Sequence, residues 1–162
     1  MKWATSREKQ GRIMAVSQIL RKGTGDAARG KPLAVKFCLN CHQLFGEGAK
    51  IGPDLTTFKR DDVGNMLVNI VNPSAEIREG FETYQVITAD GRVLTGFLVD
   101  RDNQVVVLRG VDGQNISLTQ DQIDEMAPIR KSLMPENQLK ELSDQQVRDL
   151  LAYLRSSQPL ND

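Results

Sequence analysis

The chain contains two cysteines and one histidine, and all three lie within the five residues Cys38-Leu39-Asn40-Cys41-His42. Two cysteines cannot form the disulfide framework that stabilises many small secreted domains. A single histidine also excludes any site that needs two imidazoles. The sulfur and imidazole chemistry of the chain is therefore concentrated in one short stretch of polypeptide.

The spacing Cys-x-x-Cys-His is the signature of covalent haem c attachment. On one helical turn, positions i and i+3 face the same side, so two thiols can each bond to a vinyl group of one porphyrin. The next residue then directs its imidazole toward the iron as the proximal ligand. The motif predicts one haem c held by Cys38 and Cys41, with His42 as an iron ligand.

Three other interpretations of the motif remain open. A zinc site needs about four ligands, and the sequence offers no second Cys-x-x-Cys or His pair. A thioredoxin-like dithiol follows a strand in a βαβ unit, whereas this pair follows a helical pattern. Two buried structural cysteines beside an unrelated histidine would account for the same residues.

A second axial ligand cannot be histidine, and methionine is the candidate that the chain offers. A thioether is a soft, neutral ligand that suits low-spin haem iron and raises its reduction potential relative to two histidines. Met134 is the preferred candidate because the proline after it disfavours α geometry, and polar Ser132 and Glu136 lie close by. Met126 is the reserve candidate, while Met66 has the spacing of a core residue.

Composition indicates one globular domain, or one domain with an appendage. The chain has 162 residues, of which 40% are hydrophobic, and its formal net charge is +0. That balance argues against a nucleic-acid-binding protein, and no apolar run is long enough to span a membrane. Residues 1–37 carry nine Lys/Arg and two Asp/Glu. A solvated basic helix face, or a dipole that orients a charged redox partner, would explain this asymmetry.

Hydrophobic periodicity predicts helices over 7–22, 31–42 and 61–71. A fourth helix begins at the capping box 143–146. Between the third and fourth helices, β-branched runs and two Asp-Gly turns predict an antiparallel meander of four strands. These strands are placed at 83–88, 92–99, 104–109 and 115–119.

The order of these motifs resembles that of the monohaem His/Met cytochromes c. After the Cys-x-x-Cys-His motif come GPDL at 52–55, LMP at 133–135 and DLLAYL at 149–154. The resemblance implies that the Pro53 carbonyl accepts a hydrogen bond from Nδ1–H of His42, which fixes the ring and raises its basicity. It also implies that Arg60 lies near a haem propionate. The sequence is equally consistent with Arg60 as a solvated charge that flanks a helix.

The resemblance further implies how two helices cross. Gly30 lies eight residues before Cys38, where the family has a small residue that lets the N-terminal and C-terminal helices approach closely. Leu150 and Tyr153 are its expected partners. The family often has an aromatic residue at the position of Ala34, so Phe37 is expected to compensate.

Met134 follows His42 by 92 positions, more than a compact cytochrome c needs, and the β meander fills the excess. This arrangement is similar to the planctomycete-type haem-binding domain, which has short sequence motifs like those at 51–56, 72–73, 90–96 and 132–135 in this order. The implied fold is a mainly α cytochrome c fold with an inserted antiparallel β meander, α+β overall. The cytochrome domain spans 24–158, its β insertion about 82–127, and 1–23 form an N-terminal amphipathic helix or linker.

The resemblance implies a periplasmic electron-transfer protein rather than an enzyme. Its partner would be a redox protein or a fused dehydrogenase domain. The apolar stretch 13–20 is not a convincing signal peptide, so the protein is either cytoplasmic or a piece of a longer chain. The resemblance implies a piece of a longer exported chain, with residues 1–22 as the tail of a preceding region that links, packs or dimerises. Two alternatives remain: a sensor or peroxidase-like module with a dissociable methionine, and an interaction domain that uses an edge strand such as 104–109.

Overall fold

The computed structural model describes residues 6–157 and 159–160. The chain divides into two compact units. One comprises Ile77–Met134 and is built around a β-sheet; the other comprises the described residues on either side of that segment and is mainly helical. The description "mainly α" therefore fits the helical unit, whereas the described chain as a whole is α+β.

Helix α1 spans Arg7–Arg21, close to the predicted 7–22. Ser6 caps it, because its side chain accepts a hydrogen bond from the Lys9 backbone N–H at 3.3 Å. The apolar stripe of α1 packs against the main hydrophobic cluster of the helical unit through Val16, Ile19 and Leu20. This helix is thus docked on the helical unit; residues 1–5 of the predicted N-terminal segment lie outside the described residues.

Helix α2 spans Ala27–Phe37, so the prediction of 31–42 was wrong at both ends. Asp26 begins the helix by accepting a hydrogen bond from the Arg29 backbone N–H at 3.0 Å. A glycine in the interior of a helix is destabilising relative to alanine. Gly30 lies in the helix all the same, and close packing rather than flexibility explains its presence there.

Helices α3, Val63–Val71, and α4, Asp144–Leu154, match the predicted positions closely. The capping box at 143–146 begins α4 as predicted, and Asn72 ends α3. Helix α4 crosses α2 at Gly30, and the two helices are very close there. A Cβ on Gly30 would lie 1.8 Å from the Asp149 carbonyl oxygen and 3.0 Å from Tyr153 Cβ. The buried residues of the helical unit surround this crossing: Ala34, Leu39, Leu44, Met66, Val147, Leu150, Leu151, Tyr153 and Leu154.

A short hairpin, formed by β1 (Gln43–Leu44) and β2 (Glu47–Gly48), follows α2 in the helical unit. The sheet unit contains five antiparallel strands in the order β6-β5-β4-β3-β7 among the residues described. Their bounds are β3 Thr83–Thr88, β4 Val93–Arg101, β5 Val105–Arg109, β6 Asn115–Thr119 and β7 Ile123–Ile129. The core of this unit is Val86, Val106, Leu108 and Leu118.

Two features of the sheet correct the sequence interpretation. The predicted edge strand 104–109 is β5, which pairs with both β4 and β6 and so has no open side. Strand β7 was not predicted; it returns to pair with β3 and forms the other edge of the sheet. Met126 lies on β7 opposite Val86 and packs against the sheet core, as expected of a core residue.

None of the helices within residues 6–157 and 159–160 combines the length and the hydrophobicity that crossing a membrane would require.

Candidate functional site

The Cys-x-x-Cys-His segment forms a hydrogen-bonded turn directly after α2 rather than part of the helix. The Cys38 backbone N–H donates to the Ala34 carbonyl at 2.8 Å and ends the helix. The Cys38 carbonyl then accepts from the backbone N–H groups of Cys41, at 3.1 Å, and His42, at 2.9 Å. The turn therefore keeps the i, i+3 and i+4 bonding of a helix, which the spacing argument requires.

Both cysteines are free thiols and both are half-buried. Burial raises the pKa of Cys38 to about 12, and the nearby Cys41 adds to this effect. Burial also raises the pKa of the Cys41 thiol. Since the two sulfurs are not joined to each other, each is available to form its own thioether bond.

The orientation of His42 is fixed by one hydrogen bond. Its Nδ1 lies 2.6 Å from the Pro53 carbonyl oxygen. A carbonyl oxygen can only accept, so Nδ1 carries the proton and Nε2 keeps its lone pair. Burial lowers the pKa of His42, although the bond to Pro53 opposes this. The result is a neutral imidazole with one nitrogen able to bind a metal ion.

Two glycines let the following loop close against His42. The backbone N–H groups of Ile51 and Gly52 both donate to the Cys41 carbonyl, at 3.0 and 2.7 Å. A Cβ on Gly52 would lie 2.8 Å from His42 Cε1, and one on Gly48 would lie 2.1 Å from the His42 carbonyl oxygen. Gly48 also has φ +109°, a value that L side chains rarely adopt.

Phe45 is a residue of this region that sequence reasoning missed. It occupies the β1–β2 turn with φ 52°, which is unusual for a bulky residue. Its backbone N–H donates to Thr56 Oγ1 at 2.8 Å. Its ring lies 4.9 Å from the Arg60 guanidinium and meets Tyr153 edge-on at 6.4 Å. Phe45 thus supplies an aromatic contact to α4.

Arg60 is half-buried and is not the solvated charge that one sequence interpretation described. Its Nη1 donates to the carbonyl oxygens of Leu154, at 2.8 Å, and Ser156. Its Nε is buried and has no hydrogen-bond partner among the described residues. A buried donor without an acceptor is costly, so this nitrogen is suited to an acceptor from outside the polypeptide.

The helical unit brings together five of the predicted site residues: Cys38, Cys41, His42, Pro53 and Arg60. Met134 belongs to the sheet unit and is its last residue. Met134 is half-buried, and its backbone N–H donates to Ser132 Oγ at 3.1 Å. Met66 is 8% exposed in the helical core, in agreement with its predicted packing role.

These residues fit a covalently bound haem. Two free thiols three positions apart and an imidazole with an available Nε2 lie in one turn, and the Gly52 loop packs closely against that imidazole. Within the described part of the chain, no group of three or more His, Cys, Asp or Glu side chains has an arrangement that could hold a metal ion.

This turn carries the residues of the covalent haem c attachment motif, in which the polypeptide would supply two thioethers and an axial imidazole. Residues 27–104 match the family model described as Cytochrome c. That family binds haem c covalently, with iron, and the cofactor prediction is confirmed. The match supports a haem-binding electron-transfer domain, an electron carrier rather than an enzyme, of a kind that is typically extracytoplasmic. The curated proteins include no match to the chain.

Proposed function

We propose that the chain carries single electrons through one low-spin haem c with His42 and Met134 as axial ligands. Bound haem supplies an iron that alternates between the ferrous and ferric states. The observation that carries the proposal is the 2.6 Å bond from His42 Nδ1 to the Pro53 carbonyl. In the neutral ring that burial favours, this bond places the proton on Nδ1 and leaves the Nε2 lone pair available. The same turn holds two free thiols, which completes the donor set that haem c requires.

Each residue of the helical unit has a separate role. Cys38 and Cys41 hold the porphyrin by thioether bonds, so the haem does not depend on a large aromatic pocket; only 5% of the chain is aromatic. Pro53 orients His42 and increases the electron donation of the imidazole to the iron. Arg60 donates to a haem propionate through Nε, which would satisfy its buried, unpartnered N–H.

The assignment of Met134 rests on the roles of the other described methionines. Met66 is buried in the helical core, Met126 packs in the sheet, and Met14 is 63% exposed on α1. Met134 lies outside both core clusters, on a segment that Pro135 keeps from continuing as a helix. Because both axial positions are then filled, electron transfer is favoured over substrate chemistry at the iron.

The planctomycete-type identity, the periplasmic location and the partner belong to the same proposal. Haem attachment by this route takes place outside the cytoplasm, and the partner is a redox protein or a fused dehydrogenase domain. The excess of positive charge over residues 1–37 would orient an acidic partner. A dimer through α1 is less favoured, since the apolar stripe of α1 packs against the core of its own chain.

The test is the optical spectrum of the purified holoprotein. We expect sharp low-spin c-type bands after reduction and, in the ferric state, a sulfur-to-iron charge-transfer band. Met134→Ala should abolish the charge-transfer band, while the matched variants Met126→Ala and Met14→Ala should keep it. Loss of the band in Met126→Ala alone would overturn the ligand assignment. Carbon monoxide binding to resting wild-type protein would favour a sensor or a peroxidase-like module.

A further inference from the structure

Two basic side chains of α1 are bound to the segment that follows Met134. Lys9 Nζ donates to Glu136 Oε1 at 2.6 Å and to Asn72 Oδ1 at 3.1 Å. The Lys9 side chain is 22% exposed and that of Glu136 38%, while Asn72 is buried. The Lys9 ammonium thus joins the end of α3 to a residue only two positions after Met134.

Arg12, one helical turn after Lys9, binds the same segment. Its Nη2 donates to the Glu136 carbonyl at 3.1 Å and to Asn137 Oδ1 at 3.0 Å. Glu136 is therefore bound twice, through its side chain by Lys9 and through its backbone by Arg12. An isolated exposed ion pair contributes little, but here charge-assisted bonds from two neighbouring residues converge on one residue.

Helix α1 is itself fixed at its other end. Arg148, on α4, donates from Nε to the Ile19 carbonyl at 2.8 Å. The apolar stripe of α1 packs against the hydrophobic cluster that includes α4. Lys9 and Arg12 therefore project from a helix whose position is set by the core, so they can hold Glu136 in a defined place.

We propose that α1 is a positioning element for the sixth ligand. Lys9 and Arg12 hold Glu136 and thereby restrict the Met134-Pro135-Glu136 segment, so that the methionine sulfur stays on the iron. The inference rests on the proposed His/Met ligation and extends it to a helix that lies outside the matched residues 27–104. Lys9 and Arg12 are positioning residues, since they act through Glu136.

The consequence is an equilibrium between a bound and a released methionine that α1 biases toward the bound state. An added ligand such as imidazole binds only when the methionine has left the iron. Its apparent affinity therefore rises in proportion to the released fraction. Weakening the contacts of Lys9 and Arg12 should raise that fraction without changing the haem, the thioether bonds or His42.

The experiment titrates the ferric holoprotein with imidazole at constant pH and salt and follows the charge-transfer band. We expect Lys9→Met and Arg12→Met each to bind imidazole about threefold more tightly than wild type. The double variant should bind it about tenfold more tightly, and tenfold corresponds to about 1.4 kcal/mol. Lys22→Met is the matched control: it removes the same charge from an exposed residue at the end of α1 and should change the affinity less than twofold.

A second background separates positioning from a general effect on the haem. In Met134→Ala the sixth position is already free and the charge-transfer band is absent, so the titration there follows the main haem absorption band. Adding Lys9→Met and Arg12→Met should leave the imidazole affinity of this background unchanged. Glu136→Gln, which keeps the shape of the side chain and removes its charge, gives a milder test; we expect about a twofold to threefold rise in affinity. If the double variant fails to fold, the imidazole affinity of Glu136→Gln tests the inference instead.

Three results would count against the inference. If the double variant binds imidazole as Lys22→Met does, while the charge-transfer band is present, α1 does not position the ligand and the proposed ligation stands. An equal rise in affinity in the Met134→Ala background would assign the effect to the haem surroundings instead. A wild-type protein without the charge-transfer band would overturn the His/Met ligation and this inference with it.

Discussion

Gly52 lies against the imidazole of His42 so closely that a Cβ at this position would be 2.8 Å from Cε1 and 3.0 Å from Nδ1. The same Cβ would be 3.4 Å from Nε2, so Gly52 lies against the face of the ring whose Nδ1 is bonded to the Pro53 carbonyl. Backbone and ring therefore fit together without room for another carbon atom. A glycine beside the proline is needed to set the plane of the candidate axial ligand, and this relationship can be tested directly.

Gly52→Ala should displace the His42 ring and lengthen its bond to Pro53. A weaker bond makes the imidazole a poorer donor to ferric iron, so we expect the reduction potential to rise. Overpacking of this kind also costs about 1–3 kcal/mol of unfolding free energy. Redox titration and denaturant unfolding of the holoprotein measure the two effects. Gly64→Ala is the control, since its new Cβ would meet its nearest atom at 3.6 Å; equal behaviour of the two variants would contradict the argument.

Gly30→Ala should disrupt the crossing of α2 and α4. The new Cβ would lie 1.8 Å from the Asp149 carbonyl oxygen, which neither helix can relieve without moving. We expect a loss of about 3 kcal/mol in the free energy of unfolding. Gly11→Ala is the matched control in α1, where nothing lies within 4 Å, and it should stabilise the protein by about 0.5–1 kcal/mol. A Gly30→Ala protein as stable as wild type would show that the crossing is not close-packed.

Asp149 should link stability to pH. Its carboxylate is 5% exposed and accepts hydrogen bonds from the backbone N–H of Asp26 at 2.8 Å and from Arg29 Nε at 3.1 Å. Burial alone would raise the pKa of Asp149, but the bonds from Arg29, Asp26 and Gln145 outweigh it and the pKa is lowered. Asp149→Asn should cost about 1–3 kcal/mol near neutral pH.

The direction of the pH effect follows from the lowered pKa. The contribution of Asp149 is fully present above the ordinary aspartate pKa of about 3.9 and is lost as the pH falls through the lower pKa of the folded state. The difference in unfolding free energy between wild type and Asp149→Asn should therefore shrink below about pH 4. Asp124→Asn, which makes the same change at an exposed residue of β7, is the matched control. A difference that stays constant with pH would contradict the assignment.

Arg60→Gln should lower the reduction potential, because removing a positive charge near the haem favours the ferric state. It should also destabilise the protein by about 1–2 kcal/mol, since the bonds from Nη1 to the end of α4 are weakened. Lys59→Gln removes the same charge from an exposed neighbour and is the control. Should the two variants show the same potential, Arg60 would be a structural residue without a contact to a propionate.

The part of the candidate site around His42 could be predicted from the sequence because its residues are close together in the chain. The motif at 38–42 and the proline at 53 are separated by few positions, and the Pro53 carbonyl lies where the resemblance placed it. The helix crossing was predictable for a similar reason, since Gly30 lies only eight positions before Cys38 and could be located from the motif. Such local patterns do not require knowledge of the tertiary fold.

Other features depend on contacts between distant residues, and the sequence pattern did not show them. Strand β7 contains Pro128 and two acidic residues, which broke the β-branched pattern; an edge strand tolerates proline because one of its sides is unpaired. Phe45 adopts a positive φ, and its ring contacts Arg60 and Tyr153, which lie far from it in the sequence. The contact of Lys9 with Glu136 joins residues 127 positions apart.

The intact mass of the purified protein under denaturing conditions is the most direct test of covalent attachment. The mass should exceed that of the 162-residue polypeptide by one haem. Replacing Cys38 and Cys41 together by serine should remove that excess. A wild-type mass equal to that of the polypeptide alone, with both thiols open to alkylation, would contradict the account.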